Sequence, residues 1–475
     1  MNRKGLSLAL LLLWSGACTS VGKDYSPPNV AALPTQWQDA QPTGASNASA
    51  ELGEWWQRLG DPVLDDLIAR SAQGSLDLRE ALSRLNEARA LRGISAADRF
   101  PTLDAKASYE RRGESDNTPF GGFVPDNGTY TVGFDATWEL DLWGRVRRTV
   151  EAADADLAAS VEDLRDVAVT VAAETAINYV ELRAFQRRVA IARENVLRQQ
   201  QTLELVRGRF EAGLVGESDV AQARTNVEST RSRVPALEVG VRAAENRLAV
   251  LIGQPPGALR ELLESAAPIP VPPLEVAVGV PADLLRRRAD VRRAERVVAA
   301  EHARIGVAQG DLYPRLTLTG ELGLAATDIS DLTDSASSFF GLGPSLRWNI
   351  FDAGRLRNRV NAQDARAEQA MLRWERTVLV ALEETENAMT AFVREQTRRA
   401  SLLEAASQAQ LAVQLARTQY KEGLSDFQTV LVAERAVAEL EDDLATSESS
   451  IATNFVVLYK ALGGGWEHRS DLASE

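Results

Sequence analysis

The stretch Thr131-Val132-Gly133-Phe134-Asp135-Ala136-Thr137-Trp138-Glu139-Leu140-Asp141-Leu142 alternates between two kinds of residue along its length. Successive side chains of a strand point to opposite faces. Val132, Phe134, Ala136, Trp138, Leu140 and Leu142 therefore make an apolar face, and Thr131, Gly133, Asp135, Thr137, Glu139 and Asp141 a polar one. Leu103, Ala105, Ala107 and Tyr109 alternate likewise with Asp104, Lys106, Ser108 and Glu110. Leu316, Leu318, Leu322 and Leu324 repeat the pattern, as do Leu342, Leu346, Trp348 and Ile350. The spacing predicts four strands, at 102–112, 129–142, 315–326 and 339–351, in two pairs joined by polar connections at 113–128 and 327–338. Trp138, Trp143, Trp348 and Phe351 lie towards strand ends, where membrane strands carry an aromatic girdle.

Alternation alone fits a half-buried soluble sheet equally well, and the N-terminal residues tip the reading. Asn2-Arg3-Lys4 is a short basic segment, Leu6 to Trp14 is an apolar run, and Ser15-Gly16-Ala17 leads to Cys18. The run is too short to span a bilayer and reads as an export signal over 1–17. Small residues before a cysteine resemble a bacterial lipobox, in which Cys18 becomes the acylated first residue; Ser15 departs from the apolar residue usual there. The competing reading is an ordinary signal followed by an incidental cysteine. No later segment is apolar for long enough to cross a membrane as a helix, so entry would be through strands or lipid.

Four strands cannot close a membrane barrel, and lipid does not tolerate open sheet edges. Two chains would give eight strands and an interior filled by side chains; three would give twelve and leave a lumen. The arithmetic points to a trimer sharing one barrel.

Between 146 and 209 there is no proline, and the glycine at 208 stands near the end. Apolar or small residues at 161, 164, 168, 171, 175, 179, 182, 189, 192, 196 and 203 form one helical stripe. A second such stretch runs from 356 to 421, and return helices are expected at 218–251 and 428–462. Pro235 predicts a kink in the first return helix, where the second copy has Ala445. A solid coiled-coil stalk would satisfy the same stripes, but strands attached to both long helices favour a hollow continuation of the barrel.

The unit is written twice. Phe210, Gly213 and Leu214 recur as Tyr420, Gly423 and Leu424, Gly144-Arg145 recurs as Gly354-Arg355, and Leu251-Ile252-Gly253 matches Ala461-Leu462-Gly463, all at an offset of 210. Asp77-Leu78 and Phe100-Pro101 match Asp290-Val291 and Tyr313-Pro314 at 213. The expected organisation is a signal at 1–17, a lipid anchor and extended segment at 18–62, a first repeat at 63–253, a Pro-rich linker at 254–282, a second repeat at 283–464 and a tail at 465–475. The fold class is mainly α with a membrane β-barrel: four strands and long antiparallel helices per chain, completed as a twelve-stranded barrel and α-helical tunnel in a trimer.

Composition removes other classes. With 67 acidic and 53 basic residues the chain carries −14, the wrong sign for a nucleic-acid surface. His302, His468 and Cys18 are its only histidines and cysteine, too few for a zinc cluster, a disulfide or a Ser–His or Cys–His catalytic arrangement. No phosphate loop or dinucleotide glycine motif is present, so neither an enzymatic reaction nor a cofactor is expected.

Pro281 to Glu295, containing Arg286-Arg287-Arg288-Ala289-Asp290, continues through Ile305-Gly306-Val307-Ala308 to Tyr313-Pro314. With Asp24-Tyr25, Trp55-Trp56, Asp61-Pro62 and Asp141-Leu142-Trp143-Gly144-Arg145, this resembles the TolC-like outer-membrane efflux proteins, in their NodT-type lipoprotein branch. The likeness covers essentially all of the chain after Cys18. It implies a homotrimeric duct in the outer membrane, its helices in the periplasm, which passes small-molecule cargo (drug-like, lipid-like or metal) outward. Such ducts work with a periplasmic adaptor and an inner-membrane pump, commonly of the RND type. The resemblance further implies that Thr19 directs the lipoprotein to the outer membrane. Alternatives of the same architecture are a protein-secretion duct or, with the strands unexplained, a lipid-anchored scaffold.

The resemblance places the turns at Gly213 and Gly423 at the tunnel tips, where the family has its gate and adaptor contact. An aspartate that rings the entrance in relatives aligns with Val432, so three valines would form an apolar collar instead. Gln428 shares that helix; Asp426, and Glu217 and Asp219 from the first copy, are candidate ring carboxylates, with a helix-cap or solvated-turn role as the alternative. Arg286, Arg287 and Arg288 read as structural ion-pair partners at a helix start.

Overall fold

The computed structural model describes residues 20–28, 37, 45–46, 52–113, 115, 117, 127–273, 276–277, 281 and 287–466. The export signal, Cys18, Thr19, Arg286, most of the first strand-to-strand connection and nearly all of the tail lie outside them. In chain order the main elements are α1 (Pro62–Gly74), α2 (Leu76–Ala97), β1 (Thr102–Arg112), β2 (Asn127–Leu140), α3 (Arg145–Glu211) and α4 (Glu217–Leu251). They continue with α5 (Ala289–Gly310), β3 (Arg315–Ala326), β4 (Ser338–Arg347), α6 (Arg355–Lys421) and α7 (Phe427–Ala461). The duplication is visible in these bounds. Helices α3 and α6 both have 67 residues, α4 and α7 both have 35, and each pair begins 210 residues apart. At the helical rise, 67 residues extend on the order of 100 Å.

The chain forms two compact units, one of Met1–Asn29, Leu85–Ser160 and Ala294–Glu375, the other of Val30–Arg84, Val161–Arg293 and Arg376–Glu475. The first holds a four-stranded antiparallel sheet in the order β1-β2-β3-β4. Its register aligns one apolar face across all four strands: Ala105, Phe134, Leu322 and Phe340 stand side by side, as do Leu103, Ala136, Gly320 and Leu342. On the other face Asp104, Asp135, Glu321 and Gly341 share a row, and Lys106 bridges Asp135 at 2.7 Å and Glu321 at 3.7 Å. The apolar row is open to its surroundings, with Phe134 53%, Leu322 61% and Phe340 85% exposed. A contiguous apolar surface of this kind needs lipid or another chain to cover it. Among the described residues the outer edges of β1 and β4 pair with no strand.

Two strands end earlier than the alternation suggests. β2 stops at Leu140, two residues short, because the Asp141 carboxylate turns back to accept from the Val146 and Arg147 amides at 3.1 and 2.9 Å, capping α3. β4 stops at Arg347 rather than 351, since its register partner Arg315 is the first residue of β3 and the ladder has no further rung. The starts also shift, to Asn127 and Ser338. Asp352 caps α6 through the Gly354 and Leu356 amides, one position later in the repeat than Asp141, and Ala353 beside it has a positive φ of 54°. Beside these caps, Trp143 stacks on Tyr313 at 5.0 Å and donates to the Pro314 carbonyl at 2.9 Å, while Trp348 donates to Leu312 at 3.1 Å.

The second unit is built on helix packing. Val171, Thr175, Tyr179 and Leu182 of the expected α3 stripe are buried, as are Val437, Ile451, Phe455 and Leu458 of α7. Trp55 lies against Tyr459 and Phe455, with ring centroids 5.9 and 6.4 Å away, which gives the paired tryptophans a packing role. Asp61 caps α1 through the Val63 amide at 2.9 Å and accepts from the Tyr179 hydroxyl at 2.6 Å. Helix α4 passes through Pro235 without interruption.

Arg288 is the structural partner expected of it. Its guanidinium, nearly buried, meets Asp290 at 2.8 Å and Glu384 at 2.7 Å, and donates to the Ala461 carbonyl at 3.0 Å. Burial alone would raise the Asp290 carboxyl, but the Arg288 bonds and the Val291 amide outweigh it and hold the group below the usual carboxylate range. A carboxylate lowered by folding stabilises at neutral pH, fully above its unfolded value, and loses that contribution as pH falls through its folded value. Asp290→Asn should therefore lower the melting temperature at pH 7, and the difference from wild type should shrink below about pH 4. A melting series from neutral to acid checks this; a gap independent of pH would detach the effect from ionisation.

Candidate functional site

Each long helix ends in the same turn. Gly213 and Gly423 have φ of 73° and 77°, a conformation that costs glycine least. Leu214 N bonds to Arg209 O at 2.9 Å and Leu424 N to Gln419 O at 2.8 Å, with the glycine amides bonded to Phe210 O and Tyr420 O. This pairing satisfies the last carbonyls of each helix and reverses the chain. Leu214 and Leu424 are left exposed at the apex, at 65% and 78%.

Beneath the turns, Val196, Leu203, Val206, Ala223, Val227, Ala416, Tyr420, Phe427, Val430 and Leu431 form one buried cluster that joins both hairpins. Arg209, in the last turn of α3, lies 4.7 Å over the Tyr420 ring and donates to the Tyr420 and Lys421 carbonyls, placing a cation at the carbonyl end of α6. Burial pushes the Tyr420 hydroxyl up from its ordinary range, Arg209 acting against it.

The candidate entrance residues fall into two groups. Asp426 is the N-cap of α7: it accepts from the Thr429 amide at 3.0 Å and from its hydroxyl at 2.8 Å, and these bonds lower its pKa. Its carboxylate is thus engaged in holding the helix start. Glu217 opens α4 and Asp219 follows within the first turn, both suited to the helix dipole. Gln428 and Val432 share an exposed stripe of α7 with Arg435 and Glu439, at the four-three-four spacing of one helix face. Val432 is 57% exposed.

Arg435 was absent from the sequence-based candidates, although it stands one turn from Val432. So were Glu434 and Glu441, buried carboxylates on the opposite side of α7. The signal for them was present: Glu434, Glu441 and Glu448 recur every seven residues within an otherwise apolar stripe. Among the described residues no His, Cys, Asp and Glu group is arranged to hold a metal ion, and no helix is long and apolar enough to cross a membrane.

The profile of the family described as "Outer membrane efflux protein" matches the chain twice, over residues 67–254 and 280–464. The matches begin 213 residues apart and end 210 apart, the two offsets of the internal repeat. Nodulation protein T of Rhizobium leguminosarum bv. trifolii is 31% identical over 455 residues, covering 96% of each chain. The pyoverdine export outer membrane protein OpmQ of Pseudomonas aeruginosa is 31% identical over 472 residues, covering 98% of each. Among solved structures, the outer-membrane channel OprN superposes with a TM-score of 0.87 at 37% identity, covering 94% of this chain and 99% of that one.

Proposed function

The chain belongs to the outer membrane efflux protein family, and from that premise we propose that it is the exit duct of a tripartite pump for small molecules. The observation that carries this is the sheet: one apolar face continuous over four strands and open to its surroundings, one polar face, and two edges that pair with no strand among the described residues. Three copies joined edge to edge bury those edges and enclose a polar lumen. The duct performs no reaction of its own. A periplasmic adaptor and an inner-membrane pump, here read as RND type, supply contact and energy. Relatives are named for pyoverdine export, solvent efflux and antibiotic efflux, which favours small molecules over secreted protein as cargo. Cys18 carries the acyl anchor in this reading.

The turns at Gly213 and Gly423, with Glu217, Asp219 and Asp426 beside them, serve as adaptor-facing tips. The exposed stripe of Gln428, Val432 and Arg435 faces the entrance, and three valines form an apolar collar with a cation one turn away. Val432→Asp tests this. Three carboxylates at one level would bind cations, so millimolar divalent cation should reduce the variant's single-channel conductance severalfold and leave wild type little changed. Equal insensitivity of both would move the constriction elsewhere on the helix. For the function itself, cells lacking the chain but keeping the pump should accumulate a pump-exported dye; unchanged accumulation would contradict the duct.

A further inference from the structure

The polar face of the sheet carries opposite charge at two levels. Near mid-strand Asp104, Asp135 and Glu321 share a row, with Lys106 as the cation among them. Six residues back along β3, on the order of 20 Å away, the sign reverses. There Arg315, the first residue of β3, stands opposite Arg347, the last of β4. Both belong to the polar face, since their neighbours Leu316 and Leu346 pair on the apolar one. Like charges directly opposite on two strands repel, so the pair calls for a neutralising anion.

The chain supplies too few. Asp311 accepts from Arg315 at 2.5 Å and lies 3.4 Å from Arg359, so one carboxylate is divided between two guanidinium groups. Glu139 is occupied by Arg145, through bonds of 2.9 and 2.8 Å. Arg147 with Asp141 and Arg355 with Asp352 are balanced pairs that leave nothing over. Arg347 is exposed and has no ion-pair partner among the described residues. At this end of the face Arg145, Arg315, Arg347 and Arg359 thus meet only Glu139 and Asp311.

We propose that Arg315 and Arg347 form a binding position for small solutes bearing carboxylate groups, and that three copies make an anion-attracting collar at the helix-side end of the barrel lumen. The inference rests on the duct reading, which makes the polar face a lumen, and adds which cargo chemistry its barrel favours. A guanidinium fork meets a carboxylate through two parallel bonds, and Arg347 has its whole fork to offer. Rings of arginine or lysine are what pores use to admit anions.

The test uses the full-length protein, purified in nonionic detergent, with citrate as the probe. Binding is followed by calorimetry in dilute buffer, where the charges are least screened. Arg347→Gln should weaken citrate binding about tenfold, the worth of one charge-assisted contact. Ser345→Glu, which sets a carboxylate two residues away on the same face, should weaken it as much without removing either arginine. In planar bilayers under a dilute potassium chloride gradient, the chloride-to-potassium permeability ratio should fall about twofold in both variants. Equal citrate affinity in wild type and both variants would overturn the inference. So would a failure of Arg347→Gln to form trimers while Ser345→Glu assembles and binds citrate normally, because a carboxylate of the neighbouring chain would then already hold Arg347. Citrate binding that depends on Arg347, in a protein that forms no channel, would keep the site and fault the duct reading alone.

Discussion

Phe134→Arg should remove the protein from the outer membrane. Phe134 lies mid-strand in β2, flanked by Ala105 and Leu322 on the apolar face. An arginine on the lipid face near the bilayer midplane costs about 2–4 kcal/mol, and one shared barrel suffers it three times. That sum rivals the total stability of an ordinary domain, so assembly rather than conductance fails. The control is Thr137→Arg, one turn of the pleat away on the polar face beside Thr102 and Thr319, where the charge meets water. Fractionation with semi-native electrophoresis should show the Phe134 variant missing from membrane trimers and the Thr137 variant present. Membrane trimers of Phe134→Arg in normal amount would reverse the assignment of faces, or replace the barrel with a soluble sheet.

Glu434→Ala should clearly destabilise the helical region. The carboxylate accepts from Thr202, Asn226 and Arg417 in a site only 5% exposed. Breaking a fully buried ion pair costs about 3–5 kcal/mol. Here the Arg417 side chain left behind is 26% exposed and keeps the Arg198 carbonyl, so the loss falls below that range and comes mainly from the Thr202 and Asn226 donors left unpaired. Glu434→Gln keeps the shape and one acceptor, so its loss should be clearly smaller. Thermal unfolding of the two variants in detergent would separate them; equal and minor losses would mean that the Thr202 and Asn226 donors find other acceptors and that the Glu434 carboxylate adds little to the packing.

Much of this architecture was legible in the sequence because its signals are periodic. Alternation at 131–140 and the uninterrupted stripe of α3 need no knowledge of neighbours, and Gly213 and Gly423 mark reversals by a backbone requirement of their own. The legible part ended where a residue had two uses. Asp141 continues the alternation, yet its carboxylate finds two free amides at the start of α3, and capping wins over one more rung. Asp426 could have been a ring carboxylate, but Thr429 three residues on gives it the geometry of an N-cap. Glu434 and Glu441 were harder still. A carboxylate in an apolar stripe looks misplaced until Thr202, Asn226 and Arg198, more than two hundred residues away in the chain, supply its donors. Arg435 carries no signal of its own in the sequence, because an exposed arginine on an amphipathic helix is ordinary and only its place one turn from Val432 sets it apart.

The central claim is that three chains share one barrel. Native mass spectrometry of the protein extracted in mild detergent from the outer-membrane fraction tests it most directly. The account predicts an assembly of three chains that survives gentle activation. A monomer under the same conditions would leave both sheet edges unpaired in lipid and would contradict it.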